Sequence, residues 1–276
     1  MIGFLHLIKA EWLRSFIVMR RYWFRSIIGL VLGYGMMLML VYGFIYSQDT
    51  IADRVGAGDQ AINFVLGFII GMFAFGIVGM YTQGLQGMAS TGILEQLCMS
   101  PYGLITNFMA RTVVGAISMI FSSSILVWAI ATTVGGELHF SLVPVLVLLA
   151  LTFLNLLGFG LMVGGLVLVF KQVGQVAMIL RMVLFGLAIF AREEVLEKSN
   201  IVLAGLLHLL PITDGAICIK YVLLKGQMQG EELVPVYFHP SFFFLVLNCF
   251  IWIVAGVACF KYMENYSRYK GTLGTY

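Results

Sequence analysis

The stretch AINFVLGFIIGMFAFGIVGMY, residues 61–81, contains no charged side chain. A helix rising 1.5 Å per residue needs about 20 apolar residues to cross about 30 Å of hydrocarbon, so this run reads as a membrane-spanning helix. Working outward, five more runs qualify: 27–46, 105–134, 142–170, 173–190 and 242–260. Two of them, 105–134 and 142–170, exceed the required length and should tilt or project from the bilayer. Composition agrees. Of 276 residues 61% are hydrophobic and only 11% charged, against about 25% charged in a soluble domain. The net charge of +3 forms no basic stripe of the kind that binds nucleic acid.

A seventh candidate, 201–224, is excluded on cost. Its clean apolar part ends at Leu210, Pro211 interrupts it, and crossing would place Asp214 and Lys220 in lipid. Each charge costs about 2.5–3.5 kcal/mol near the bilayer centre. A re-entrant helical hairpin that enters and leaves from one side avoids the penalty. Basic residues then set the orientation. Lys9, Arg14, Arg20, Arg21 and Arg25 precede the first span, Lys261, Arg268 and Lys270 end or follow the last, and Arg111 and Lys171 lie at connectors on that same side. The opposite side holds Asp49, Asp53, Asp59, Glu137, Glu193, Glu194, Glu197, Glu231 and Glu232. The positive-inside rule puts both termini in the cytosol, as an even number of spans also requires.

Before the first span, Leu5, Ile8, Trp12, Phe16 and Met19 share one helical face, while Arg14, Arg21 and Arg25 share another. This is the pattern of an amphipathic helix over residues 1–25 lying in the headgroup region; the plainer reading is a basic flank that orients the first span. Glycines four apart, Gly29/Gly33, Gly67/Gly71 and Gly160/Gly164, let helix backbones approach closely. The expected fold is an all-α integral membrane protein in one domain, 1–276, with an interfacial amphipathic helix, six transmembrane helices and an extracellular re-entrant hairpin (193–240) before the last span.

Chemistry is sparse. No G-x-x-x-x-G-K-[ST] phosphate loop is present, so the chain should not bind ATP itself, and neither H-E-x-x-H nor G-x-S-x-G occurs. His6, His139, His208 and His239 are scattered, and Cys98, Cys218, Cys249 and Cys259 have neither metal-ligand spacing nor a disulfide pattern. No metal site and no catalytic residue is expected, and neither is a cleavable signal peptide. Thr133-Val134-Gly135-Gly136 shares part of a potassium-filter signature but has Gly where an aromatic belongs, and it reads as the turn ending a span. Arg181, inside an apolar run, either snorkels or pairs with a carbonyl, or else lines an aqueous cavity.

Between the second and third spans lies a short polar-capped segment, TGILEQLCMSP, residues 91–101. Glu95 there is either a solvated carboxylate or a charged contact that transmits movement from a cytosolic partner. The pattern G-x-L-E-Q-L-x-x-S-P of Gly92 to Pro101 resembles the signature after the second span in ABC-2-type permeases, the membrane halves of ATP-binding-cassette exporters. LPITDGAICIKYVLLKG (210–226) is similar to the stretch before their last span, and GTLGTY (271–276) to their common ending. The chain departs from many members in carrying neutral residues just before Gly92, and in Asp214 where an aromatic is usual.

The resemblance covers nearly the whole chain and implies two permease subunits, as a homo- or heterodimer, working with two cassette ATPases on separate polypeptides. ATP and Mg would sit on those partners, with no cofactor on this chain. It implies a cytosolic coupling region (82–104) in which Gly92, Glu95, Gln96 and Pro101 contact the ATPase. Lys171 would belong to a second, smaller contact at 171–175, and residues 263–276 would form a cytosolic tail. It further implies a substrate path between the permeases along the second and fifth spans, with Met72, Phe75, Arg181, Phe185 and Phe190 as candidates. The expected function is export of a hydrophobic, amphipathic or lipid-linked substrate across a plasma membrane, the prokaryotic inner or cytoplasmic membrane. The rivals are an ion-coupled secondary transporter, disfavoured by spans nearly free of acids, an intramembrane enzyme, and a membrane anchor recruiting a cytosolic complex.

Overall fold

The computed structural model describes residues 2–46, 51–134, 142–170, 174–192, 196, 200–224 and 236–270. Among them no strand forms, and the protein is an all-α membrane protein whose helices satisfy their own backbone hydrogen bonds. In chain order the helices are α1 (Ile2–Arg21), α2 (Trp23–Tyr46), α3 (Ile51–Ser90), α4 (Ile93–Cys98), α5 (Gly103–Val134), α6 (Leu142–Val169) and α7 (Gly174–Phe190). There follow α8 (Ile201–Leu209), α9 (Thr213–Leu224), a 3-10 turn at Val236–Phe238 and α10 (Pro240–Tyr269). Five of them, α2, α3, α5, α6 and α10, are long and apolar enough to cross a membrane. The run expected as a span over 173–190 forms a shorter apolar helix, α7, of 17 residues.

Packing partners fix the helix directions. Tyr81 lies on Gly160, Leu85 on Gly164, Trp252 on Gly158 and Phe260 on Gly165, so α3, α6 and α10 run parallel. Gly76 meets Met119 and Gly115 meets Met80, which sets α5 antiparallel to them. Along α7, Gly174 meets Gln86, and Phe185 and Ile189 meet Gly71 and Gly67. Gln86 and Gly67 stand about 28 Å apart on α3 at 1.5 Å per residue, so α7 lies along α3 for nearly its whole length. Because α7 ends and α10 begins at one end, the intervening α8–α9 pair enters and leaves there, bent by 85°. Leu210, at the bend, is extended (φ −73°, ψ 138°), the conformation that the following Pro211 imposes.

Two seams hold the bundle. In the first, α6 and α10 pair along most of their lengths, and a Cβ on Gly256 would overlap the Gly158 carbonyl. In the second, a Cβ on Gly67 would stand 2.8 Å from the Ile189 Cα and one on Gly71 2.9 Å from the Phe185 carbonyl oxygen. The Gly160/Gly164 pair receives Tyr81 and Leu85 rather than a backbone. Gly29 has nothing within 4 Å and Gly33 only Leu126 at 3.8 Å, so that pair makes no backbone contact in this chain.

At the start of the chain α1 packs on α5 with Phe4, Leu7, Ile8, Glu11 and Ser15 half-buried, leaving Leu5, Trp12, Phe16 and Met19 exposed. The helix breaks at Tyr22, so Arg25 belongs to α2 and not to the amphipathic helix expected over 1–25. The break is slight, since the Tyr22 amide still donates to the Val18 carbonyl at 2.9 Å.

Adding side-chain volume at the first seam should be damaging. Gly256→Val is expected to destabilise the protein by at least about 1–3 kcal/mol through overpacking, read as a lowered thermal unfolding midpoint in detergent. Gly29→Ala should stay within about 1 kcal/mol of the unaltered protein.

Candidate coupling site and buried polar ties

The connector between α3 and α5 is a compact elbow. At the end of α3, the Ser90 and Thr91 hydroxyls both donate back to the Gly87 carbonyl, at 3.0 and 2.9 Å. Gly92 then takes φ +72°, a left-handed conformation that side chains disfavour, and turns the chain into α4. On the far side Gly103 takes φ +73° and starts α5. Between them Ser100 Oγ accepts from the Tyr102 amide and from Asn107 Nδ2, each at 3.4 Å. Six residues make α4 too short to be stable alone. It is held by Leu94, which is fully buried, with Leu97 and Cys98 packed against the core.

In the elbow Gly92, Gln96 and Pro101 are all exposed. Glu95 lies on α4 between them, with its side chain outside the described residues. Lys171 and the tail 271–276 also lie outside them. Arg14 pairs with Glu11 of its own helix at 3.1 Å, while Arg20, Arg21 and Arg25 are exposed. Arg111, on α5, reaches Met88 Sδ at 3.4 Å.

A contact that the sequence reading passed over joins α4 to the last helix. The Arg268 guanidinium lies 2.6 Å from Glu264 Oε1, one turn earlier on α10, and its Nη2 also donates to the Cys98 carbonyl at 3.5 Å. Cys98 ends α4, where the last carbonyls lack helical donors and a cation is favoured. Next to it, the buried Ser267 hydroxyl donates to the Leu168 carbonyl near the end of α6 at 3.1 Å. The i,i+4 spacing of Glu264 and Arg268 was legible in the sequence as a helical ion pair. Its reach across to Cys98 was not.

The path candidates lie along α3 and α7. Met72 and Phe190 are exposed, and Phe75 and Phe185 are half-buried. Phe185 packs edge-on against Phe68 with ring centroids 4.9 Å apart. Arg181 is buried: its Nε donates to the Phe75 carbonyl at 2.9 Å, and its guanidinium lies 3.7 Å from the centroid of the Phe75 ring. Gly79 leaves the room it occupies, since a Cβ there would stand 2.8 Å from the Arg181 guanidinium carbon. Separately, a cavity of about 60 Å³ lies between α3, α5, α6 and α9, walled by residues such as Phe73, Val127, Leu149 and Leu223, with Ser123, Ser124 and Thr152 at its edge.

At the opposite end the hairpin is tied by charged and amide groups. Lys220 Nζ donates to the carbonyls of Ala188, Ile189 and Ala191 at 2.9, 3.0 and 3.0 Å, capping the end of α7. His208 Nδ1 lies 2.7 Å from the buried Asp214 carboxylate, and the His208 ring stacks on Phe244. Asn248 of α10 donates to both Asp214 Oδ2 and the His208 carbonyl, and Trp252 Nε1 donates to the Leu209 carbonyl at 3.0 Å. Asp214 and Lys220, which made crossing costly, are thus both buried and both partnered.

The family model for ABC-2 type transporters matches residues 6–195, from α1 through α7. The chain belongs to the ABC-2 type transporter family. Membership makes it a multi-pass permease component of an ABC transporter and implies association with a cassette ATPase. No curated protein matches the chain. The matched region ends before the hairpin and α10, so the ties of Lys220, Asn248 and Arg268 are read from this permease's own geometry. Among the described residues no three His, Cys, Asp or Glu side chains group as metal ligands.

Lys220→Met should leave three carbonyls at the end of α7 without their donor. The expected loss is at least about 1–3 kcal/mol, the cost of unsatisfied buried groups, measured as earlier thermal unfolding in detergent. Arg14→Met, at an exposed pair, should change stability by less than about 1 kcal/mol.

Proposed function

We propose that this permease is the membrane subunit of an ATP-driven exporter, moving a hydrophobic, amphipathic or lipid-linked substrate out of the cytosol. The observation that carries the reading is α4. It is a short helix set between two left-handed glycines, anchored in the core by Leu94 and presenting Gln96 and Pro101 outward. A partner pressing on that surface would displace a packed element rather than a loose loop. Arg14, Arg111, Arg268 and Lys270 lie at the α4 end of the bundle, which favours the cytosol for that end under the positive-inside rule.

In this scheme two cassette ATPases, carrying ATP and Mg, engage α4 of two permease subunits in the plasma membrane. Gly92 and Pro101 shape the contact, Glu95 and Gln96 make it, and Lys171 supplies a second, smaller one. Nucleotide shifts the bundle only by its differential affinity for two arrangements, which must amount to several kcal/mol. Substrate passes between the two subunits along α3 and α7, beside Met72, Phe75, Phe185 and Phe190. Arg181 serves that path by fixing α7 to α3 from within the packed interface, not by touching cargo.

The test is reconstitution into vesicles with and without the cassette partner, using a panel of fluorescent amphiphiles and lipid analogues as probes. ATP-dependent movement is expected only with the partner present, and Glu95→Arg should lower the amount of ATPase retained on the permease by about ten-fold. ATP-dependent movement by the permease alone would overturn the reading. So would reaction of Cys98 with a membrane-impermeant thiol reagent on intact cells.

A further inference from the structure

We infer that Arg268 is a positioning residue through which displacement of α4 reaches α10, and through α10 the hairpin at the opposite end of the bundle. The inference rests on the reading of α4 as the element moved by the ATPase. Its local part, that Arg268 holds α4 in place, stands on geometry alone.

Peptide bonds join α4 to α3 and α5 through turns at Gly92 and Gly103. Leu94 fixes the first turn of α4 in the core. The last turn, ending at Cys98, is met by Arg268, which Glu264 holds at 2.6 Å. Glu264 is itself buried, so the guanidinium has an anchor beneath it rather than a free swing in solvent. From there α10 cannot slide independently of α6. Gly256 and Gly158 bring the two backbones into contact, and Ser267 donates to the Leu168 carbonyl. Toward its other end α10 holds the hairpin, through Asn248 on His208 and Asp214 and through Trp252 on the Leu209 carbonyl. One helix therefore touches α4 at its last turn and the hairpin in its first half. Arg268 makes a polar contact between α10 and α4.

The experiment uses the full chain, alone and in complex with its cassette ATPase. Labelling of the native thiols by N-ethylmaleimide is followed by peptide mapping. In the chain alone, Arg268→Ala should raise the labelling rate of half-buried Cys98 several-fold, and Arg268→Lys, which keeps a donor, should restore part of the protection. In the complex, trapping the partner with ATP and vanadate should change the labelling of Cys259 on α10. Arg268→Ala should abolish that change while partner binding and ATP hydrolysis persist; about a ten-fold loss in the nucleotide-dependent difference is expected.

An unchanged Cys98 rate in Arg268→Ala overturns the local part. Absence of any nucleotide effect at Cys259 in the unaltered complex, or its full retention in Arg268→Ala, overturns the transmission. If no ATPase associates with the chain at all, the proposed function fails instead, and the Cys98 rates still decide whether Arg268 holds α4.

Discussion

The last carbonyls of a helix lack helical donors, and several helix ends in this bundle take donors from elsewhere. They are met by side chains arriving from elsewhere in the chain. Lys220 reaches the end of α7, Asn248 and Trp252 the end of α8, Ser267 the end of α6 and Arg268 the end of α4. All but the first come from α10. That helix runs beside α6 and touches both the hairpin and α4. The polar groups that hydropathy treats as costs are placed where the backbone needs them.

These caps are complemented by two glycine seams of a different physical kind. Gly158 against Gly256, and Gly67 and Gly71 against α7, gain their attraction from close backbone contact, in a medium where lipid competes equally for apolar side chains. Close contact of this sort tolerates rigid-body motion of a pair but not separation within it. Each of the α6–α10 and α3–α7 pairs is therefore held together as a unit. Arg181 reinforces the second pair by bonding across it to the Phe75 carbonyl. The cavity beside Leu149 and Leu223 lies where α3, α5, α6 and α9 meet.

What the sequence made legible is what depends on local pattern. Apolar run length located the long spans, and the price of Asp214 and Lys220 in lipid argued for a hairpin before any partner was known. The α4 elbow was visible because Gly92, Gln96 and Pro101 are close in the chain. Partners distant in sequence were not visible. Nothing near Lys220 announces the carbonyls of Ala188, Ile189 and Ala191, and nothing near Arg268 announces Cys98. Glycine spacing misled for a related reason. The four-residue interval marked Gly29/Gly33, which makes no backbone contact here, and passed over Gly158 and Gly256, whose contact depends on which faces two helices turn to each other. The boundary after α1 was misplaced because Arg25 continues the basic pattern across the break at Tyr22.

The two cations that cap helix ends stand in different energetic regimes, and that difference separates structure from coupling. Lys220 is buried and bonds three carbonyls, so its removal leaves desolvated groups and acts on the stability of the fold. Arg268 is half-exposed, and an ion pair in that setting contributes only about 0–1 kcal/mol because water and salt screen it. A contact that weak cannot hold the bundle together. It can still select one position of a six-residue helix over another, because α4 has little packing of its own beyond Leu94, Leu97 and Cys98.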